Sequence, residues 1–118
     1  MSVSEEKSFA FAVKVVEAAK GVRAKHKEYD ITGQFVRSGT SIGANVSEAQ
    51  KAQTKKDFIA KMSIASKEAN EVCYWIRLMT ETGYLDESKS KELISMAEEI
   101  VRILTSIVKT SQERTLNT

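Results

Sequence analysis

Residues 34–58 read QFVRSGTSIGANVSEAQKAQTKKDF, and this stretch decides the fold of the chain. Its apolar residues recur every three or four positions, which places them on one face of a helix: Phe35, Gly39, Ile42, Val46 and Ala49. Polar residues follow the same spacing one position earlier and form a polar line beside that face: Gln34, Ser38, Ser41, Asn45 and Glu48. We therefore expect an amphipathic helix with one face for packing and a polar line available for a specific contact.

The polar line and the neighbouring Arg37 are the nearest approach to a functional cluster in the sequence. They include no nucleophile beside a general base, no set of metal ligands and no phosphate-binding loop. The only histidine is His26, at a charged helix end. We therefore expect no catalytic residue, no cofactor and no metal, and we rank an enzyme below the non-enzymatic classes of function.

The composition is typical of a globular, largely helical protein. The chain has 118 residues, of which 42% are hydrophobic and 29% charged, with no proline and five glycines. We expect a single domain over residues 1–118, with its core at about 4–112. The lone Cys73 excludes an intrachain disulfide, and the first eight residues lack the pattern of a secretory leader. The apolar stretch at residues 9–22 is too short and too charged to cross a bilayer, so we expect a cytoplasmic protein without membrane contact.

Four amphipathic segments follow one another with short breaks between them. We predict helices over residues 4–27, 32–52, 54–82 and 87–112. Cap signals occur at the breaks: Asp30 and Thr32, then Thr54 with Asp57, then Gly83 followed by Asp86. Because short connections join antiparallel neighbours, the sequence predicts an all-α fold, an antiparallel up-down-up-down four-helix bundle.

Helices 1 and 4 carry more apolar surface than one bundle core requires. Helix 1 has two apolar stripes, one through Phe9 and Val13 and another through Phe11 and Val15. A helix with apolar residues nearly all round must be covered on both sides. We therefore expect a homo-oligomer, with these candidates for the subunit interface: Phe11, Val15, Ala18, Val22 and Ile103. The alternative is a broad core within a single bundle.

Gly39 and Gly43 lie inside helix 2, where each costs about 1 kcal/mol relative to alanine. Their spacing puts them on one side of the helix, where another backbone can approach closely. We favour close packing over the alternative of a weak or kinked helix.

Helices 2 and 3 should form an antiparallel hairpin. Facing positions then place Arg37 opposite Glu68 and Glu71, in a partly buried ion pair. They place Glu48 near Lys55 and Ile59. If the pair is buried, replacing Arg37 with alanine should lower the free energy of unfolding by about 3–5 kcal/mol. The alternative is that these charges lie on a solvated face. The candidate polar stripe comprises Arg37, Ser41, Asn45, Glu48, Glu68 and Glu71.

One pattern that begins in helix 2 is specific enough to compare with known families: Gln34, Arg37, Ser41-Ile42, Asn45-Val46, Glu48, Asp57-Phe58, Ile64-Ala65, Glu71 and Gly83-Tyr84-Leu85. With this pattern, residues 9–109 resemble the 23S rRNA intervening-sequence proteins, whose fold also includes the accessory variability determinants of diversity-generating retroelements. The resemblance implies a four-helix bundle that assembles as a homopentameric ring and associates with nucleic acid. The chain departs from the family pattern at Ala49 and Ala52, where glycine and a basic residue are usual.

Two classes of function therefore compete. The first is a nucleic-acid-associated assembly of the RNA-associated family type, with RNA or DNA as the ligand. Its candidate contacts are Lys51, Lys55 and Lys56, and a second basic group lies at the other end of the bundle: Arg23, Lys25 and Lys27. The formal net charge of +2 is small for a dedicated nucleic-acid-binding domain, so binding would depend on local clustering or assembly. The second class is an interaction scaffold for a protein partner, with no nucleic-acid ligand. The lysine cluster has little aromatic interleaving, so we expect no base-stacking platform from it.

Overall fold

Four α-helices make up the protein. The structure is a computed structural model that describes the backbone of residues 1–116 and the side chains of residues 1–114. Residues 117 and 118, which belong to the predicted domain, lie outside the described residues. The helices are α1 (Val3–His26), α2 (Asp30–Gln50), α3 (Lys55–Glu81) and α4 (Glu87–Leu116). The predicted all-α bundle is confirmed, and α4 continues past its predicted end at residue 112.

Short connections reverse the chain between consecutive helices. They span residues 27–29, 51–54 and 82–86. Both α1 and α3 pack against α2 and α4, which closes the bundle around one core. The protein is a rod of 53 by 22 by 21 Å. Over the described residues, none of the helices combines the length and the apolar character needed to cross a membrane.

The start of α2 differs from the prediction, because an upstream residue supplies the cap. Asp30 is the first helical residue, and the Glu28 carboxylate accepts hydrogen bonds from the backbone N–H groups of Ile31 and Thr32, at 2.9 and 2.8 Å. The Thr32 hydroxyl instead donates to the Glu28 carbonyl oxygen. Partial burial raises the pKa of Glu28, but the backbone N–H donors outweigh it and hold that pKa below its ordinary value. Asp30 and Thr32 are therefore wrong as predicted caps.

The signals at the other two breaks are confirmed. The Thr54 hydroxyl accepts a hydrogen bond from the Asp57 N–H at 3.0 Å, ahead of α3. Gly83 follows the end of α3 with a φ of 85°, a left-handed conformation that glycine adopts without steric cost. Asp86 accepts a hydrogen bond from the Lys89 N–H at 2.7 Å and thereby caps α4.

The core receives apolar side chains from all four helices. The predicted apolar face of α2 is buried along its whole length. The largest fully buried side chains face one another across the bundle: Phe11 and Val15 of α1, Phe35 and Ile42 of α2, Met62, Ile76 and Met79 of α3, and Leu93 and Leu104 of α4. Their three-or-four spacing is the reason that each helix presents one continuous face to the core.

The contact between α1 and α2 decides which apolar stripe of α1 is buried. A Cβ atom on Gly39 would lie 2.8 Å from both Cγ atoms of Val15, closer than two carbon atoms pack. A Cβ atom on Gly43 would lie 3.5 Å from the Ser8 carbonyl oxygen, which is an ordinary contact distance. Close packing is therefore confirmed, and it is tightest at Gly39, where the Val15 side chain fills the space.

The predicted subunit interface on α1 is wrong. Phe11, Val15, Ala18 and Val22 are buried in the chain's own core, so they cannot reach a second subunit. Ile103 is half-buried on α4. Both stripes of α1 are apolar, and the sequence of α1 alone does not tell which one meets the glycines of α2.

The second stripe of α1 is the one left outside. Phe9, Val13 and Val16 lie on the surface, and the Phe9 side chain is 65% exposed. A groove beside Phe9 is lined by small residues of α2, among them Gly43 and Ala44. Exposed apolar faces of this kind are typical of interaction surfaces.

Gly39→Ala should be less stable than Gly33→Ala by about 1–3 kcal/mol, the usual cost of overpacking a core. Alanine at position 39 pushes a methyl group into Val15. Gly33 is the matched control, because nothing lies within 4 Å of a Cβ atom there, and alanine should add about 1 kcal/mol of helix propensity. Urea denaturation measures both free energies of unfolding. Equal stability of the two variants would contradict the close packing.

Candidate functional site

The polar line of α2 bonds largely to its own helix. Ser38 is fully buried, and its hydroxyl donates to the Gln34 carbonyl oxygen at 2.9 Å. The Ser41 hydroxyl donates to the Ser38 carbonyl oxygen at 3.1 Å, and the Asn45 amide donates to the Ser41 carbonyl oxygen at 2.8 Å. Since these donors are already bonded, the line offers less to a ligand than the sequence suggests.

Arg37 connects α2 to α3 where the hairpin geometry predicts it. Its guanidinium donates to Glu68 at 3.2 Å, to Glu71, and to the Gln34 side-chain oxygen at 3.3 Å. The Trp75 indole N–H donates to the same Glu71 carboxylate at 3.1 Å. The predicted contacts are confirmed, but the arginine itself is not buried: its side chain is 49% exposed, whereas Glu68 and Glu71 are 13% and 31% exposed.

Glu48 pairs with Lys61 rather than lying near Lys55. The Nζ–Oε2 distance is 3.3 Å, and both groups are at the surface. The contacts of Arg37 keep the predicted register of the hairpin, so the difference is local: the partner of Glu48 lies further along α3 than Lys55. As a consequence, Lys55 is not neutralised by Glu48.

Four cations meet at the end of the rod where α2 turns into α3. Lys51, Lys55 and Lys56 follow one another around the turn, and Arg114 of α4 lines a groove together with Lys55. All four side chains are exposed. Within the part of the chain that the structure describes, none of them forms an ion pair. We call these four residues the basic end.

Sequence reasoning missed that Arg114 and Phe58 lie together at this end of the rod. Arg114 lies beyond the predicted end of helix 4, although the spacing of Leu104 and Ile107 continues toward it. Phe58 belongs to the apolar seam of α3 in the sequence, yet it is half-buried and lines the groove beside Lys55. Phe58 is the first apolar residue of α3 in this spacing, so it lies at the end of the bundle. No further turn of helix covers its side chain there.

The second basic group, at the opposite end of the rod, makes contacts within the chain. The Arg23 Nε donates to the Thr32 hydroxyl at 2.9 Å, and its guanidinium lies 5.7 Å from the centre of the Tyr29 ring. Lys27 ends α1 in a left-handed conformation with a φ of 55°. Arg23 therefore fastens α1 to the start of α2, whereas Lys25 and Lys27 are exposed.

The single cysteine is part of the core. Cys73 is buried, and its thiol donates to the Ala69 carbonyl oxygen at 3.4 Å. Burial raises the pKa of this thiol, so it stays protonated near neutral pH.

Among the residues whose side chains are described, no three His, Cys, Asp or Glu side chains are grouped so that they could hold a metal ion.

The fold and the sequence together define a family. The model of the 23S rRNA-intervening sequence protein family matches residues 3–106, so the chain belongs to this family. It is also similar to a protein of unknown function from the S23 ribosomal protein family of Bacteroides thetaiotaomicron, whose crystal structure is known at 1.70 Å. The two chains are 43% identical, with a TM-score of 0.89 over 91% of this chain and 99% of that one. No curated protein matches the chain.

Arg37→Ala should lower the free energy of unfolding by about 1–2 kcal/mol. The largely buried Glu68 loses its cation, but the exposure of Arg37 keeps the cost below the 3–5 kcal/mol of a fully buried pair. Lys61→Ala is the matched control, since its exposed pair with Glu48 is worth about 0.5 kcal/mol. Urea denaturation compares the two. A cost for Arg37→Ala no larger than that for Lys61→Ala would show that the Arg37 pair does not hold the helices together.

Proposed function

We propose that this protein is a non-enzymatic, self-assembling helical bundle that binds RNA at its basic end. The observation that carries the proposal is the grouping of four exposed cations that form no ion pair with another described residue. Four of the lysines elsewhere on the surface lie beside carboxylates: Lys7 beside Glu99, Lys14 and Lys89 beside Glu92, and Lys61 beside Glu48. Positive charge at the basic end is therefore free to act on a partner.

The charge at the basic end suits a phosphate backbone. Asp57 and Glu113 are close in sequence to these cations and reduce the local charge without cancelling it. Exposed lysines bind phosphates through charge and release counterions, which gives affinity without sequence preference. Five copies of a chain with a formal net charge of +2 carry +10. A ring would repeat the basic end around one rim and raise the potential above that of one chain.

The names of the relatives support RNA as the ligand. The name of the family refers to an intervening sequence of 23S rRNA. The Bacteroides relative is assigned to a ribosomal protein family. We extend the proposal to a relationship with the accessory variability determinants of diversity-generating retroelements, which the pattern of α2 suggests. A scaffold for a protein partner is the alternative, and an RNA-binding measurement separates the two.

Replacing Lys51, Lys55 and Lys56 together with glutamine should weaken RNA binding by at least about tenfold. The change removes three of the phosphate contacts that supply the affinity. Fluorescence anisotropy with a labelled single-stranded RNA measures the dissociation constant at several salt concentrations. If about five phosphates are engaged, the logarithm of the binding constant should fall against the logarithm of salt with a slope of about −3.5, and about −4.5 for a duplex.

The matched control replaces three lysines at the opposite end of the rod, Lys20, Lys25 and Lys27, with glutamine. The control loses the same three positive charges. If only the net charge mattered, RNA binding would therefore weaken equally in the two triple variants. We expect the control to bind within about twofold of the wild type. If the wild type binds neither RNA nor DNA at about 50 mM salt, where backbone binding is strong, the scaffold function replaces this one.

The proposal includes assembly, with five subunits as the expected number. The exposed stripe of Phe9, Val13 and Val16 supports a subunit contact on α1. The small residues Gly43 and Ala44 beside it leave room for a helix of a second copy. The number five follows from the family resemblance, since the geometry of one chain does not fix it.

Phe9→Asp should convert the assembly into monomers, because a carboxylate on the exposed stripe would lose its hydration in a subunit contact. Multi-angle light scattering should give about five times the 13.1 kDa chain mass for the wild type and one chain mass for the variant. Ile64→Asp is the control, since Ile64 is an exposed apolar residue on α3, and it should leave the mass unchanged. A wild-type mass near one chain at micromolar concentration would contradict the assembly.

A further inference from the structure

A groove at the basic end combines apolar, cationic and hydrogen-bonding side chains. We propose that it holds one unpaired nucleotide of an RNA strand whose backbone crosses the neighbouring lysines. This inference rests on the proposed RNA binding and adds to it a specific site, with a preference for single strands over duplexes. The groove lies between the turn from α2 to α3 and the last described turns of α4, and its volume is about 600 Å³. That volume is within the range of about 300–1,000 Å³ that is usual for small-molecule sites.

The apolar part of the groove is formed by Phe58 and Ile107. Both side chains pack against the core and are half-buried, so each also contributes surface to the groove. A partly exposed aromatic ring is the surface on which proteins stack an unpaired base. The sequence predicts no stacking platform near the lysines. The structure instead places this ring directly beside them.

The charged part of the groove is formed by Lys55 of α3 and Arg114 of α4. Neither is ion-paired within the described residues, and none of the described residues that line the groove carries a carboxylate. Three other surface cavities each include at least one carboxylate. Two like charges on one groove repel each other, and a phosphate between them would relieve the repulsion through charge-assisted hydrogen bonds.

Polar side chains of the groove are available for a base edge. Gln53 and Thr110 line it, and their side chains make no hydrogen bond to another described residue. An amide offers both donors and an acceptor, and a hydroxyl offers one donor and two acceptor positions. An aromatic surface, free donors and acceptors, and a cationic rim are the groups that a nucleotide requires. A bare phosphate would not use the aromatic ring.

The strand must be single for this contact to form. In a duplex the bases are stacked and paired, so none can enter the groove without the cost of unpairing. A duplex has the higher charge density and would bind more tightly to a surface that recognises charge alone. A preference for the single strand therefore reports on the groove, whereas the salt dependence reports on the lysines.

The test compares the full-length wild type with Phe58→Leu by fluorescence anisotropy. The probes are a labelled RNA of roughly 12 nucleotides, within the usual range of single-strand site sizes, its duplex, and an abasic backbone of equal length. We expect the wild type to bind the single strand about tenfold more tightly than either other probe. Leucine keeps the apolar volume but removes the ring, so Phe58→Leu should lose this preference and keep its affinity for the duplex and the abasic backbone. Tyr74→Leu, at an exposed aromatic residue elsewhere on α3, should behave as the wild type.

The outcomes separate this inference from the proposed function. Equal affinity of the wild type for all three probes overturns the nucleotide site and leaves backbone binding intact, and this result does not depend on whether Phe58→Leu folds. An unchanged preference in folded Phe58→Leu also overturns it. Free uridine monophosphate serves as a further probe, and binding as tight as that of the strand would make the groove a small-molecule site instead. If the wild type binds none of the RNA probes, the proposed function itself is refuted.

Discussion

The contact between Val15 and Gly39 is the constraint on which the rest of the structure depends. A Cβ atom at position 39 would overlap the Val15 side chain, so the distance and the rotation of α1 on α2 are set by a single missing methyl group. The helix propensity lost at Gly39, about 1 kcal/mol, is offset by this packing. With α1 in this orientation, Phe11 lies in the core and Phe9 lies on the surface. The packing at this glycine therefore accompanies the division of α1 into a buried stripe and an exposed one.

The pairing of α2 with α3 then distributes the charge of the protein. Arg37 forms ion pairs with Glu68 and Glu71, and Glu48 forms one with Lys61. These ion pairs use the carboxylates along the middle of the hairpin. The lysines of the turn lie beyond them, and α4 is long enough to add Arg114 at the same end. A chain with a small net charge can in this way carry a locally basic surface, which is what backbone binding requires.

Much of the fold could be predicted from the sequence, because helical spacing, turn glycines and cap residues act locally. The apolar face of α2, the turn at Gly83 and the contact of Arg37 with Glu68 all follow from spacing along one helix or one hairpin. The burial of the Phe11 stripe could not be predicted, since it depends on which face of α2 lies opposite. The cap from Glu28 was missed because a side chain upstream of the helix competes with the expected Asp30. The groove was missed because Phe58 and Arg114 are distant in sequence and meet only when α4 is placed beside α3.

In the proposed function, RNA contacts the end of the rod at which α2 turns into α3. Photo-crosslinking of the intact protein to an RNA that contains 4-thiouridine, followed by mass spectrometry of the linked peptides, tests it most directly. We predict that the crosslinks fall within residues 51–58 and 107–114. Crosslinks concentrated at residues 20–29, or none under conditions that saturate RNA binding, would contradict the claim.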